Sequence, residues 1–267
     1  MSRGPGSLGH GRAGQPGWPA PDGARWPVDL GDGGIAGAFS SRLGGCSTGP
    51  FASLNLGFGV GDEPRAVEEN ARRFAAAAGF PSGGVATVGQ VHGVAVLPVT
   101  GPGAAGTADG LCTDVPGVVL AIGVADCAAL FLADPVRRAV ALCHAGWRGT
   151  AGGIGPAAVE QLALRFGSRP ADIRACVSPC IGACCYEVDM PVIEAFGERA
   201  AVWLPARPGH ARLDIAQSNR LQLERAGVPA ARIAVAGLCT ACHPEWLFSH
   251  RRDHGRTGRM RAALWLR

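Results

Sequence analysis

The sequence contains no lysine, one tyrosine and no apolar stretch of the roughly 18 residues that a membrane-spanning helix needs. All 25 basic residues are arginines, and the net charge of +4 is spread along the chain instead of being gathered in one patch. Nucleic-acid-binding proteins usually carry a stronger and more localised positive charge. We therefore expect neither a nucleic-acid partner nor a membrane partner.

The first 33 residues are rich in glycine and proline and lack the apolar core of a signal peptide. We expect residues 1–33 to be a disordered tail and residues 34–267 to form a single catalytic domain. Without an export signal, we expect the protein to be cytoplasmic. Its ten cysteines should then be reduced thiols or metal ligands.

Strand and helix patterns mix after the tail without strict alternation. Apolar runs at residues 118–127 and 128–134 favour buried strands, and a turn at Asp134-Pro135 leads into a third run at residues 139–146. Helical spacing covers residues 63–79, and it recurs at residues 150–167 and 214–227. The pattern predicts an α/β (α+β) fold, a sandwich of mixed sheets.

One cysteine and two histidines stand at predicted strand ends. Successive side chains of a strand point to opposite faces, so Cys143 and His144 point apart, and we expect Cys143 to fill the core. The turn after residue 134 brings Cys127 and His144 to one end of the sheet, and His92 occupies a similar glycine-flanked strand end. Two histidines and a cysteine are three protein ligands for zinc (Zn²⁺), with an open fourth position.

Other interpretations of this group stay open. Copper (Cu²⁺) is an alternative ion for a site of this composition. Without a metal, Cys127 and His144 would be a nucleophile and base pair, or all three side chains would be structural. Asp126, beside Cys127, is either a supporting or proton-relaying group of the site or a turn-capping residue.

Five further cysteines occur in two clusters towards the C-terminus. Cys180, Cys184 and Cys185 with Cys239 and Cys242 could form a second, structural zinc site. A structural zinc site usually combines two Cys-x-x-Cys pairs, and these five cysteines do not contain two such pairs. We therefore expect buried thiols instead.

Six segments, taken in order, resemble the YfiH/YlmD family. Members of this family are also described as laccase-domain or multicopper-polyphenol-oxidase-like proteins, as purine nucleoside phosphorylases and as peptidoglycan editing factors. The resemblance covers about residues 34–267. It rests on the segments "SRLGGCSTGPFASLNLG", "GQVHG", "ADGLCTDVPGVVLAIGVADCAALFLAD", "HAGWRGT", "IGACCYEV" and "CTACHPEWLFSHRRDHGRTGRM".

The resemblance implies an αββα-type sandwich and a catalytic metal site at His92, Cys127 and His144. It also implies purine nucleosides and phosphate as substrates: phosphorolysis of adenosine, inosine and methylthioadenosine, and deamination of adenosine. Zinc would lower the pKa of a bound water towards about 7 for the attack on purine C6.

Candidate substrate-binding residues lie inside the matched segments. Phosphate needs cationic anchors, and the guanidinium groups of Arg42, Arg148 and Arg251 are suited to bind it. Asn55 and Gln90 could hydrogen-bond the base or the sugar. Each of these residues also has a simpler interpretation, as a solvated surface arginine or as a polar residue in a turn.

Three alternatives to the nucleoside activity are considered. A Cys–His hydrolase would remove a misincorporated amino acid from a peptidoglycan precursor, with Cys127 as nucleophile and His144 as base. A non-catalytic protein associated with cell division would only bind partners. A multicopper laccase is excluded unless a second chain supplies ligands, because seven histidines and no His-x-His pair are too few for a trinuclear copper cluster.

Overall fold

A strand lies where the sequence predicts a disordered tail. The computed structural model describes residues 18–31 and 34–267, so the predicted disorder of residues 1–17, 32 and 33 lies outside the described residues. Arg25–Val28 form strand β1, which pairs antiparallel with β2 (Ile35–Ser40). Trp26 is buried in the core. The expected tail is therefore wrong for β1, because its apolar side chains pack into the domain.

The remaining elements follow in chain order over the described residues. The strands are β3 (Val85–Gly89), β4 (Val96–Pro98), β5 (Gly103–Thr107), β6 (Gly110–Thr113), β7 (Val119–Val124), β8 (Ala128–Asp134), β9 (Ala139–Ala145), β10 (Arg174–Val177), β11 (Glu187–Asp189), β12 (Val202–Pro205), β13 (His210–Asp214), β14 (Ile233–Val235) and β15 (Met260–Leu266). The α-helices are α1 (Pro64–Ala78), α2 (Trp147–Gly152), α3 (Ile154–Phe166), α4 (Met190–Phe196) and α5 (Ile215–Arg225). The predicted strands within residues 118–146 and the predicted helices are confirmed.

Two mixed sheets face each other across the main core. Within the described residues, the first sheet has the order β1-β2-β15-β7-β3-β5 and the second has the order β14-β10-β8-β9-β6-β4. Phe39 and Leu264 of the first sheet pack with Phe131 and Leu142 of the second. A third, smaller sheet has the order β11-β13-β12, and its Val188 and Leu213 belong to the same apolar cluster as Leu130 of the second sheet.

Helices cover the outer face of each large sheet. Phe74 of α1 packs with Trp265 on the first sheet, while Leu162 of α3 and Leu223 of α5 pack with Leu130 on the second. These layers confirm the mixed-sheet αββα-type sandwich. None of the helices in the described part of the chain has the length and apolar character that crossing a membrane requires.

Strand β9 carries a core residue and a site residue next to each other. Cys143 packs with the helix-covered face of the second sheet, whereas Leu142 packs between the two sheets. The alternation along the strand confirms that Cys143 fills the core, and it turns His144 towards the space between the sheets. Antiparallel pairing of β8 with β9 places Ala128 opposite Ala145, so Cys127 precedes β8 at the point where β9 ends.

Candidate functional site

His92, Cys127 and His144 converge at one end of the two sheets. One ligand atom from each lies within 4.8 Å of the others, and the two imidazole centroids are 4.8 Å apart. His144 is buried, Cys127 is half-buried and His92 is exposed, which gives the group a protected side and an open side. Two imidazoles and a thiol at this spacing fit a zinc ion that keeps one position for a non-protein ligand.

A buried carboxylate shapes the loop that carries His92. Asp109 stands directly before β6 and accepts backbone hydrogen bonds from Val91 at 3.2 Å, His92 at 2.9 Å and Gly93 at 2.5 Å. Its backbone oxygen also accepts from the backbone N–H of His144 at 2.6 Å. His92 has a φ of +62°, a conformation that the carboxylate holds by binding three consecutive N–H groups. Asp109 therefore fixes the position of both histidines.

The same carboxylate orients the ring of His144. Asp109 Oδ1 lies 2.8 Å from His144 Nδ1, and both side chains are buried. This hydrogen bond sets the tautomer and leaves Nε2 available for a metal or for the thiol. Asp109 was not predicted. The sequence signal for it is weak: an acidic residue directly before a strand, within a segment that supports the family resemblance.

Cys127 and His144 stabilise each other's charged forms. Burial raises the pKa of the Cys127 thiol, but hydrogen bonds from His144 and His92 outweigh it and lower the pKa to about 7. Burial lowers the pKa of His144, but hydrogen bonds to Asp109 and Cys127 outweigh it and raise the pKa to about 9. Without a metal, these shifts favour a thiolate beside an imidazolium, and the thiolate is the form that binds metals and acts as a nucleophile.

Asp126 ties three segments together beside Cys127. It has a φ of +82°, and its carboxylate accepts hydrogen bonds from Thr240 Oγ1 at 2.5 Å and from the backbone of Arg251 at 2.6 Å. Its backbone oxygen accepts from Ile181 N at 2.8 Å. Both carboxylate oxygens are thus used within the protein, which favours the turn-holding interpretation of this residue over a proton relay.

A cavity of about 790 Å³ opens at the three side chains. Its lining combines aromatic and cationic groups. Among the described residues, the aromatic and charged side chains of the lining, besides the histidines and Cys127, are Phe58, Trp147, Tyr186, Arg148, Arg251, Arg259, Arg261 and Asp126. Since the arginines of this set outnumber its carboxylate, the cavity favours an anion.

Two of the cavity arginines rest on aromatic rings. The guanidinium of Arg148 lies 4.2 Å from the ring centroid of Trp147, and that of Arg251 lies 4.9 Å from the ring of Tyr186. Such stacking holds the planar groups in place, and Arg251 Nη1 also donates to the backbone carbonyl of Glu187 at 3.1 Å. Both arginines were candidate phosphate anchors, and the structure places both at the cavity.

Two further arginines of the cavity were missed from the sequence. Arg259 precedes β15 and Arg261 lies within it. Burial lowers the pKa of Arg261 to about 10, so its guanidinium stays charged at neutral pH. The surrounding sequence has the apolar pattern of a buried strand. That pattern does not indicate that arginines at the start of the strand line a cavity.

Arg42 is placed elsewhere. Its guanidinium donates to the carbonyl of Ala52 at 2.6 and 2.9 Å and to the carbonyl of Pro244 at 2.9 Å, and it lies over the ring of Phe248. Among the described residues, Arg42 does not belong to the cavity lining. Its donors bind backbone carbonyls, so the structure gives Arg42 a loop-holding position in place of the expected phosphate-binding one.

The two predicted amide groups also bind the protein's own backbone. Asn55 is fully buried, and its Oδ1 accepts from the backbone N–H of Arg259 at 2.9 Å. Gln90 lines the cavity, but its amide both donates to and accepts from the backbone of Gly123, at 2.9 and 3.0 Å. Asn55 thus positions an arginine of the cavity, and Gln90 presents an amide that is already paired.

A second group of cysteines is brought together away from the histidines. Cys184, Cys185, Cys239 and Cys242 have sulfur atoms that all lie within 4.8 Å of one another. Cys184 and Cys242 are exposed, so the expectation of buried thiols is wrong for them. Cys180 is buried as expected and lies outside this group.

Comparisons with known proteins agree with this architecture. A family model described as multi-copper polyphenol oxidoreductase laccase matches residues 36–267. The purine nucleoside phosphorylase YlmD of Geobacillus stearothermophilus is 43% identical over 247 residues, which cover 87% of this chain and 90% of that protein. The purine nucleoside phosphorylase of Deinococcus radiodurans is 46% identical over 232 residues, covering 86% of this chain and 88% of that protein.

A solved structure has the same fold. The crystal structure of YlmD from Geobacillus stearothermophilus matches with a TM-score of 0.85 and 41% identity, covering 88% of this chain and 92% of that one. Both the sequence likeness and the structural likeness extend over most of each chain. The chain therefore belongs to the YfiH/YlmD family, whose members include purine nucleoside phosphorylase homologues.

Proposed function

We propose that this chain is a purine nucleoside phosphorylase whose active site is the cavity at His92, Cys127 and His144. One observation carries the proposal: three side chains of the kind that bind metals line the same cavity as the stacked arginines and the aromatic rings. A purine nucleoside needs an aromatic surface, and phosphate needs guanidinium groups. The relatives named as purine nucleoside phosphorylases support the same assignment.

The arginines bind and orient the phosphate in this proposal. Arg148 and Arg251 hold it through charge-assisted hydrogen bonds, and Arg259 and Arg261 add positive charge to the same cavity. A phosphate oxygen attacks C1′ of the ribose, and the bond from C1′ to the purine nitrogen breaks. The electron pair leaves with the base, which takes up a proton, and ribose 1-phosphate is the second product. Holding phosphate and nucleoside together supplies much of the acceleration.

The aromatic side chains bind the base. Phe58 is 58% exposed, stands between Gly57 and Gly59 and lines the cavity, so it can close over a purine. Trp147 and Tyr186 line the same cavity and already bear the stacked arginines. We propose adenosine, inosine and methylthioadenosine as substrates of this surface.

His92, Cys127 and His144 would hold the metal, and Asp109 would keep His144 in the required tautomer. Zinc bound there, or copper as the alternative ion, would supply a Lewis acid and lower the pKa of a water molecule. We extend the proposal to the deamination of adenosine in the same cavity. In that reaction water replaces the C6 amino group, and inosine and ammonia are formed.

A second candidate function is favoured by the thiolate form of Cys127. Hydrogen bonds that lower its pKa to about 7 come from an imidazole that Asp109 orients, which is the arrangement of a Cys–His–Asp hydrolase. Such an enzyme could remove an amino acid from a peptidoglycan precursor. It would use the free thiolate, so zinc would inhibit it instead of activating it.

Product analysis separates these functions. Purified, zinc-loaded protein is incubated with adenosine, inosine or methylthioadenosine, with and without phosphate, and the products are resolved by chromatography. We expect release of the free base to require phosphate, and we expect inosine to form from adenosine without it. A Cys46→Ser variant, altered at an exposed cysteine outside the cavity lining, should behave as wild type.

Other outcomes would overturn the proposal. Base release that is equal without phosphate would indicate a hydrolase of nucleosides. Inert behaviour towards all three nucleosides, with zinc-inhibited release of an amino acid from a peptidoglycan precursor, would favour the Cys–His hydrolase. Inert behaviour towards every substrate, together with capture of a specific protein partner, would favour a non-catalytic binding role.

A further inference from the structure

Two turns on the far side of the Asp126 loop carry the group of four cysteines. Cys184 and Cys185 lie in one turn, and Cys239 and Cys242 frame the other, which follows β14. A parallel bridge between Cys180 and Cys239 joins the two segments, with backbone hydrogen bonds of 3.0 and 3.3 Å. The fold therefore fixes the two turns side by side before any side chain of the group is considered.

The sulfur separations suit one tetrahedral ion. Cys242 Sγ lies 3.6 Å from Cys184 Sγ and 3.4 Å from Cys185 Sγ. A zinc ion with four bonds of about 2.3 Å separates its sulfurs by about 3.8 Å. The observed spacing needs only small side-chain adjustments to reach that geometry.

Gly182 shapes the group in two ways. Gly182 N–H donates to Cys239 Sγ at 3.2 Å, an interaction that stabilises a negatively charged sulfur. A Cβ at residue 182 would stand 3.2 Å from both Cys184 Sγ and Cys239 Cβ, so glycine is what lets the turns approach.

We propose that Cys184, Cys185, Cys239 and Cys242 bind one structural zinc ion, separate from the site at the histidines. Cys239 and Cys242 have the Cys-x-x-Cys spacing of a zinc knuckle, and the adjacent pair Cys184-Cys185 completes four sulfur ligands. Binding releases the thiol protons to solvent, and no oxidant or reductant takes part. Zinc is the ion that a closed site of four thiolates favours.

The bound ion would fasten two segments that reach the cavity. Ile181, next to the first turn, donates to the backbone of Asp126, and Thr240, within the second turn, donates to its carboxylate. Tyr186, directly after Cys185, lines the cavity beneath Arg251. The cysteine site thus supports the wall of the active site without contacting substrate.

The test uses a chain in which the histidine site is disabled. Cys127→Ala protein, prepared in zinc and washed with a weak chelator, is analysed for zinc content and by X-ray absorption at the zinc edge. We expect one zinc per chain in a shell of four sulfurs at about 2.3 Å, without nitrogen. Adding Cys242→Ser should remove that zinc, whereas adding Cys46→Ser, a matched change at an exposed cysteine elsewhere, should not.

Three results would overturn the site. The first is Cys127→Ala protein without zinc in which all four thiols react freely. The second is a mass lower by two hydrogens, which would indicate a disulfide. The third is a zinc shell that contains nitrogen or survives Cys242→Ser. The zinc shell is measured on the Cys127→Ala chain, so the test does not depend on the folding of the second variant.

Discussion

Replacing Asp109 by asparagine tests the support of the histidine site. Asp109 is fully buried, and its two oxygens accept from the backbone N–H groups of Val91, His92 and Gly93 and from His144 Nδ1. An asparagine that keeps its oxygen towards His144 turns its NH₂ group towards the N–H groups of Val91 and Gly93. Two part-buried donors then lose their acceptor, at up to about 1–3 kcal/mol each.

The loss of unfolding free energy is therefore at most about 2–6 kcal/mol, against the roughly 5–15 kcal/mol of a typical domain. The reversed amide keeps the acceptor for Val91 and Gly93, but its NH₂ group then faces the N–H of His92 and donates to His144 Nδ1, which moves the ring proton to Nε2, the nitrogen that a metal needs. In either orientation zinc affinity and kcat/KM should fall about 10–100-fold, as is usual for groups that support a metal ligand. That factor corresponds to about 1.4–2.8 kcal/mol.

The assay titrates zinc against a coloured chelator in a Cys242→Ser background, which leaves one zinc site, and follows unfolding in urea. Asp114→Asn is the matched control, because Asp114 is exposed and follows the same strand, β6. It should leave both quantities unchanged. Wild-type zinc affinity and wild-type stability in Asp109→Asn would refute the reasoning.

Three further predictions concern the same cavity. Gly146→Ala should lower zinc affinity about 10–100-fold, because its Cβ would lie 2.9 Å from Cys127 Sγ; Gly83→Ala, with nothing within 4 Å, should not, and equal behaviour would contradict the site. In chelator-treated protein, burial raises the pKa of Cys127 but hydrogen bonds from the histidines lower it to about 7, so alkylation should rise with pH around that value. His144→Ala should move this midpoint upward, and an unmoved midpoint in peptide mapping would refute the pair. Phe58→Ala should weaken nucleoside binding by about 1–3 kcal/mol, measured as an increase in KM, and Phe58→Tyr should stay near wild type. An unchanged KM would remove Phe58 from the base site.

The fold was predictable where a pattern is local. The apolar runs of β7, β8 and β9 and the helical spacing of α1 are carried by neighbouring residues, and the turn after β8 sets the register that aligns Cys127 with the end of β9. Strand ends therefore suggested His92, Cys127 and His144 as a group, and the family resemblance supplied the expectation that they bind a metal. β1 was missed because its four residues follow a glycine- and proline-rich stretch.

Other parts of the site depend on contacts that no local pattern carries. Arg42 donates to a carbonyl 202 positions away, which removes it from the cavity. Asp109 gains its role from N–H groups 16–18 positions earlier and from a histidine 35 positions later. The four cysteines meet where Cys180 and Cys239 pair between two segments that are distant in the sequence.

The most direct measurement is the rate of ribose 1-phosphate formation from inosine and phosphate by wild type and by Cys127→Ala. Zinc content is measured in the same samples, and Cys46→Ser serves as the control. We expect wild type and Cys46→Ser to form the product at equal rates, and Cys127→Ala to lose both the histidine-site zinc and the activity. A Cys127→Ala protein that forms ribose 1-phosphate as fast as wild type would contradict the assignment of the active site.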